Sequence, residues 1–249
     1  MFHRVRNHIR HHKNWWDYYR YKYLSGKKGP FTFIGRQGWQ LEVPRRMLPT
    51  YKECFFDTTY TKGFPSPVKS PEVVVDIGAN VGYFSFSVFA QFPNAKVFAF
   101  EPIAANFQLL EQYQQQHPQF DLHVYHQAVN GDGAPLTLHY DAKDAYTTAA
   151  TLFNAPDQPD AIKVPSTTLP AIMEAHKLAV IDWLKLDCEG AEYDIIYQTP
   201  KEVLDKVQQL SIETHIGPTP EQQQAHLAAF LQQQGFIIKQ QGSKIWAYR

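Results

Sequence analysis

From Pro71 onward the chain alternates short, nearly all-apolar runs with stretches of helical length, and this limits it to one class of fold. Val73–Ile77, Lys96–Phe100, residues 122–125, residues 179–186 and Gln209–Glu213 read as strands. Between them, Ala104–Gln116, residues 191–197 and residues 220–234 carry apolar residues at helical spacing. Strands that are apolar on both faces and separated by helices predict a parallel sheet covered on both sides. Residues 236–239 and Lys244–Tyr248, joined across Gly242-Ser243, predict a closing antiparallel hairpin. Upstream, Phe31–Ile34 and residues 39–43 predict a second hairpin, and residues 45–70, with Pro49, Pro65 and Pro67, read as a wrapped connection. Strand patterns around 135–140 and 162–164 flank a polar, Thr/Ala-rich insertion at 141–160, which suits either an acceptor pocket or an ordinary surface loop.

Composition excludes several alternatives. At 44% apolar the chain has ample surface to bury, so disorder is excluded. No apolar run reaches the 18 or so residues of a membrane span. Two cysteines, Cys54 and Cys188, make neither a disulfide framework nor a four-cysteine zinc site. The formal charge is zero, but residues 1–30 hold eight Lys/Arg against Asp17 alone, a net of +7, and the remainder carries −7. Without a signal-peptide pattern, a cytoplasmic location is expected. In the basic arm, Trp15, Trp16, Tyr18, Tyr19, Tyr21 and Tyr23 interleave with cations, which predicts either a helix laid over the body or a surface for a membrane, an anionic substrate or nucleic acid. His8, His11 and His12 read as a solvated cluster.

In an open α/β sheet a ligand lies beyond the carboxyl ends of the strands, where strand order reverses. The first strand ends in Asp76 and the loop Gly78-Ala79-Asn80-Val81-Gly82. The glycines allow a tight turn and a close helix, and Asn80 replaces the central glycine of a dinucleotide fingerprint. Asp76 suits a ligand carrying an ammonium group. Glu101, at the end of the second strand, suits the two hydroxyls of a ribose, or else a charge at a helix N-terminus. Gln127-Ala128-Val129 after the third strand suits an adenine ring.

Four segments carry a family resemblance: DIGANVGYFS at 76–85, FEP at 100–102, LKLDCEGAE at 184–192 and LSIETH at 210–215. Together they resemble the FkbM family of S-adenosylmethionine-dependent methyltransferases over residues 72–249. The resemblance implies a class I (Rossmann-like) methyltransferase fold: a seven-stranded, mostly parallel sheet with a C-terminal antiparallel hairpin. A small N-terminal helix and hairpin extension precedes it, divided as 1–30 and 31–71. The family implies S-adenosyl-L-methionine as cofactor and O-methylation of a glycan or small polar metabolite. Carried across, Asp76, Gly78, Ala79, Asn80 and Gly82 hold the methionine portion, Glu101 the ribose, and Gln127 and Ala128 the adenine. Asp187 stands beside the reacting methyl, with Glu189 and His215 close by.

A sugar hydroxyl needs a base within reach. Asp187 and His215 are the candidates; crowding by Glu189 and Glu213 would raise the Asp187 pKa, and His215 titrates near neutrality unaided. Capping roles for Asp187 and Glu189 compete with this reading. The acids could also gather a divalent metal, but their spacing does not specify one, and no metal is expected. Lys185 and Cys188 read as packing neighbours, and Glu192 and Asp194 as a solvated helix face. Two other classes stay open: a nicotinamide-dependent oxidoreductase, disfavoured by Asp76 and Asn80, and a non-catalytic module that binds through the arm. The arm is expected to meet an anionic acceptor or a membrane rather than nucleic acid.

Overall fold

In the computed structural model, residues 2–24, 29–65, 70–140 and 160–249 are described. Two helices, α1 (Phe2–His11) and α2 (Trp15–Tyr23), precede a hairpin of β1 (Phe31–Ile34) and β2 (Gln40–Val43). Helix α3 (Leu48–Phe55) follows, where the prolines had suggested an irregular connection. Pro49 sits in its first turn, where a missing N–H costs nothing. Then come β3 (Val73–Ile77), α4 (Tyr83–Phe89), β4 (Lys96–Phe100), α5 (Ala104–Gln116) and β5 (Asp121–Tyr125). The short strand β6 (Ala128–Val129) and β7 (Leu136–Tyr140) precede β8 (Asp160–Val164) and β9 (Ser166–Thr167). The insertion singled out in the sequence, residues 141–159, lies outside the described residues. Helix α6 (Leu169–Ala175), capped by the Thr168 hydroxyl, leads to β10 (Trp183–Leu186), shorter than the apolar run suggested. The chain closes with α7 (Glu192–Gln198), α8 (Lys201–Leu204), β11 (Gln209–Glu213), α9 (Gln224–Gln233), β12 (Ile237–Gln241) and β13 (Lys244–Tyr248).

Seven strands form one sheet in the order β12-β13-β11-β10-β3-β4-β5. β13 alone runs against its neighbours, β11 and β12; the other pairings are parallel. This is the Rossmann-like, class I methyltransferase architecture implied by the four segments. From β3 the chain steps out to β4 and β5, then returns to β10 on the other side of β3. The reversal opens a crevice at the carboxyl ends of β3 and β10.

Alternate side chains of each strand point to opposite faces and feed two apolar cores. Val74, Val97 and Trp183 join one core; Val75, Phe98 and Leu184 join the other. The first core also contains Tyr18, Phe33, Trp39, Tyr51 and Phe55. The N-terminal helices and hairpin therefore share a core with the sheet. The three histidines are buried with them, against the expectation of a solvated cluster. His8 is fully buried and stacks on Phe56 at 4.2 Å, and His12 lies between the His8 carbonyl and Tyr51. Nδ1 of His12 donates to the His8 carbonyl at 2.9 Å, leaving Nε2 to accept from the Tyr51 hydroxyl at 2.5 Å. Only a neutral imidazole can do both. Among the described residues no helix is long and apolar enough to cross a membrane.

Candidate active site

The turn after β3 is pressed against the end of β10. Gly78 has φ +75°, and a Cβ there would stand 1.8 Å from the Asp187 carbonyl oxygen, so no side chain fits. The Gly78 and Ala79 amides both donate to the Phe100 carbonyl at 3.0 Å, tying the turn to β4. Asn80 is held in the left-handed region at φ 52°, and its amide donates to Glu101 Oε2 at 2.7 Å. Gly82, at φ +86°, begins α4 where a Cβ would meet Leu110 at 2.5 Å.

Beyond these strand ends lies a cleft with about 760 Å³ of empty volume, part of it open to solvent. Gly78, Asn80, Glu101, Gln127, Ala128, Asp187 and Glu189 all line it, as do Cys188 and Thr50 of α3. At the β4 end its wall is apolar, built from Ile103, Val129, Leu136 and Leu138. Glu101 is 4% exposed, and its position is compatible with both roles considered for it. It faces the cleft, and its Oε1 accepts from the Ile103 amide at 2.9 Å at the start of α5. Burial pushes its carboxyl up to about 7 even against the pull of the Ile103 and Asn80 amides and Asn106.

Asp76, Ala79, Gly82 and His215 do not line the cleft. Asp76 is fully buried inside the sheet. Its Oδ1 lies 3.1 Å from Lys185 Nζ, and its Oδ2 accepts from the Ser85 hydroxyl at 2.7 Å. Its carboxylate thus faces a lysine where the sequence suggested a ligand's ammonium group. Lys185 in turn is more than a packing neighbour. Its ammonium donates to the Gly78 carbonyl at 2.7 Å and lies 3.8 Å from Asp187 Oδ2. Burial works against that charge, yet Asp76 and Asp187 outweigh it and raise the Lys185 pKa.

At the β10 end, two acids two residues apart are driven in opposite directions. Burial would raise the Asp187 carboxyl, but the ammonium groups of Lys185 and Lys244, the Tyr60 hydroxyl and His215 together hold it below its ordinary value. The rise expected from crowding by Glu189 is therefore reversed. Tyr60 donates to Asp187 Oδ2 at 2.7 Å. It is fixed by the strands beneath it: the Ser211 hydroxyl donates to its carbonyl, and the Trp246 indole donates to the carbonyl of Thr59. Lys244 of β13 lies 5.0 Å from the centre of the Tyr60 ring and is ion-paired with Glu213.

Glu189 occupies the left-handed region at φ 54°, uncommon for a residue with a side chain. Burial raises its carboxyl to about 7, with Asp187 and Glu192 adding to the rise and His215 and Lys244 opposing it. His215 Nε2 lies 3.4 Å from Glu189 Oε2, and its Nδ1 lies 3.2 Å from Glu192 Oε1. Burial would lower the His215 pKa, but Glu192, Glu189 and Asp187 carry it up to about 9. The ring is thus a cation at neutral pH and not the base suggested by its unperturbed value. Glu192 is fully buried, not on a solvated face. Its carboxylate accepts from the amides of Gly190 at 2.9 Å and His215 at 2.7 Å, so it anchors both. Asp194, by contrast, is exposed as expected. Among the described residues no group of three or more His, Cys, Asp or Glu side chains could hold a metal ion.

Sequence reasoning missed Tyr60, Lys244 and the pairing role of Lys185. For Lys185 a signal existed: a lysine between Leu184 and Leu186 in a strand buried on both faces needs a buried counter-charge, and Asp76 stands opposite it in register.

The profile of the Methyltransferase FkbM domain matches residues 76–238. "Methyltransferase 1" of Beauveria bassiana is 21% identical over 180 residues, covering 66% of this chain and 71% of that protein. The AMB antimetabolite synthetase AmbE of Pseudomonas aeruginosa is 26% identical over 203 residues, which cover 66% of this chain but only 9% of that far longer protein. A crystal structure of the methyltransferase FkbM from Methylobacillus flagellatus KT, 14% identical, aligns with a TM-score of 0.47 over 72% of this chain and 44% of its own. From the profile match, which spans more than half of its length, this chain belongs to the FkbM methyltransferase family.

Proposed function

We propose that the chain transfers a methyl group from S-adenosyl-L-methionine to a hydroxyl of a sugar, glycan or small polar metabolite. The observation that carries this reading is the distribution of groups along one cleft. A buried carboxylate, Glu101, sits at the end of β4 beside an apolar wall, and Asp187 and Glu189 sit at the end of β10. Glu101 suits the paired hydroxyls of a ribose, the wall formed by Ile103, Val129 and Leu138 suits a purine, and the acids at the far end suit a cationic group. Gly78 lets the turn after β3 pack against the Asp187 carbonyl, which brings these two strand ends together at the cleft.

When bound, S-adenosyl-L-methionine would supply the methyl group, activated by the positive charge of the sulfur that carries it. The residues of the chain orient the acceptor and take its proton. Asp187, held ionised by Lys185, Lys244 and Tyr60, is a weak base and a strong hydrogen-bond acceptor, suited to positioning the hydroxyl. Glu189, with a pKa of about 7, is matched to removing the proton at neutral pH. The proton passes from the acceptor oxygen to a Glu189 carboxylate oxygen. The neighbouring His215 imidazolium favours the ionised form of Glu189 before that transfer.

Calorimetric titration with S-adenosyl-L-methionine and with NADH tests the cofactor: heat with the first and none with the second is expected, and the reverse would overturn the reading. Turnover with radiolabelled donor against fractionated glycans, lipids and small metabolites then tests the acceptor. Label in a hydroxyl-bearing glycan or metabolite is expected; label on nitrogen or carbon alone would exclude O-methylation.

A further inference from the structure

Helix α1 is packed the wrong way round for an ordinary surface helix. Such a helix turns its apolar side to the core and its polar side to water. Helix α1 buries Asn7, His8 and His11 and leaves Phe2 and Ile9 in solvent, 94% and 36% exposed. These two are seven residues apart, so they share a face, with half-buried Val5 and exposed Arg6 between them. Helix α2 buries Tyr18 in the ordinary way but also leaves large apolar side chains in solvent. Trp16 and Tyr23, 59% and 67% exposed, are again seven apart with exposed Arg20 between them, and Leu24 follows at 79%. Among the described residues, the large exposed apolar side chains outside this segment are Val180, Ile216 and Ile237, which are scattered along the chain. Arg6, Arg10, Lys13, Arg20 and Lys22 are exposed in the same stretch of chain against the one exposed acid Asp17, and residues 1–30 carry a net +7.

We infer that residues 2–24 form a docking surface for an anionic lipid bilayer. Each class of side chain has its partner there. Trp16 and Tyr23 suit the headgroup layer, Phe2, Ile9 and Leu24 reach the acyl boundary, and the arginines and lysines pair with anionic headgroups. A nucleic acid or a charged glycan would neutralise the cations and stack on the rings but leave the aliphatic side chains in water. The helices are already folded against the core through Tyr18, His8 and His12. Docking therefore requires no ordering of the arm, and it would hold the enzyme at a membrane surface where a lipid-linked acceptor is concentrated.

Co-sedimentation of the full chain with vesicles tests this, using phosphatidylcholine alone and phosphatidylcholine with about 30% phosphatidylserine. Binding to the anionic vesicles, weakened by salt, is expected. Phe2→Ser with Ile9→Ser, and Trp16→Ser with Tyr23→Ser, should each lower the partition coefficient by about tenfold or more. Arg6→Gln and Arg20→Gln should each lower it roughly fivefold. Ile237→Ser, an exposed apolar position far along the chain, should leave it unchanged, and melting curves check that every variant is folded. Three results would overturn the inference: no sedimentation with either vesicle, retained binding in the folded double variants, or binding to an oligonucleotide or polyphosphate in place of vesicles.

Discussion

Replacing Lys185 by Met tests whether the buried charges beneath the cleft are arranged as described. The ammonium is 3% exposed and stands 3.1 Å from the fully buried Asp76. Removing it leaves that carboxylate in the sheet with the Ser85 hydroxyl and no cation. Breaking a buried pair from one side costs about 3–5 kcal/mol, because the remaining charge is uncompensated. For a chain of this size 1 kcal/mol moves the melting temperature by about 2–4 °C, so a fall of about 6–20 °C is expected. Asp76→Asn should cost a comparable amount, whereas the double variant, with neither charge, should lose much less than the sum. Thermal melting of the four proteins supplies the cycle, and a coupling of at least about 1 kcal/mol is expected. A Lys185→Met melting point within about 2 °C of the parent, or strict additivity, would refute the buried pair. A normal melting point for Asp76→Asn combined with weak cofactor binding would return Asp76 to the ligand-facing role suggested by its sequence position.

The same cluster sets the pH dependence. With Glu189 near 7, kcat should rise through that value, as a macroscopic step of the coupled Glu189–His215 pair. Glu189→Gln should lose the rising limb and about a hundredfold or more in kcat; a full rate with that limb intact would remove it as base. His215 has its folded pKa raised above the unfolded value of 6.5, so its stabilising contribution is complete below that pH and is lost as pH rises through about 9. The N-terminal histidines have the opposite sign. Burial, with the neighbouring His11 charge, lowers His8 to about 3; burial, with Arg10, lowers His11 to about 4. Their contribution is present above 6.5 and is lost as pH falls toward those values. Both His8 ring nitrogens are buried without hydrogen-bond partners among the described residues, so His8→Phe should flatten the loss of stability between about pH 7 and pH 5, as measured by urea unfolding. Gly78→Ala should cost more than about 1 kcal/mol and weaken cofactor binding, since its Cβ would displace the Asp187 carbonyl; unchanged melting would contradict the close approach of β3 and β10.

The sheet was legible because apolar runs such as Val73–Ile77 and Lys96–Phe100 have too few polar residues to be anything but strands buried on both faces. Their carboxyl ends then located the cleft. Less legible was whatever depended on which strands become neighbours. Asp76 is an acid at a strand end, and on sequence alone its partner could be a ligand or a lysine more than a hundred residues away. Only the β3–β10 register places Lys185 against it. Tyr60 gave no signal, because its position comes from Ser211 and Trp246 gripping the adjacent backbone. The prolines of 45–70 pointed to irregular chain, but a proline in a first helical turn is a start as readily as a break. The histidines misled for a related reason. Their composition suggests solvation, whereas a neutral imidazole packs among aromatic rings as His8 does on Phe56.

The opposite shifts of Asp187 and Glu189 carry the argument for how the site divides its labour. Two carboxylates in one site can take different roles only if their surroundings separate their pKa values. Here the separation is not made by the matched segment alone. Lys185 belongs to it, but Tyr60 precedes residue 76 and Lys244 follows residue 238. Those two contributions add to the pull of Lys185 and His215 that holds Asp187 below its ordinary value against burial. The Tyr60 segment and the final hairpin thus do more than close the fold. They help hold Asp187 below its ordinary value while its neighbour two residues on is raised to about 7, and on the proposed reading the first orients the hydroxyl and the second takes its proton. Tyr60→Phe should accordingly lower kcat more than it weakens cofactor binding and shift the rising limb of the pH profile, whereas a purely packing role would leave that limb where it stands.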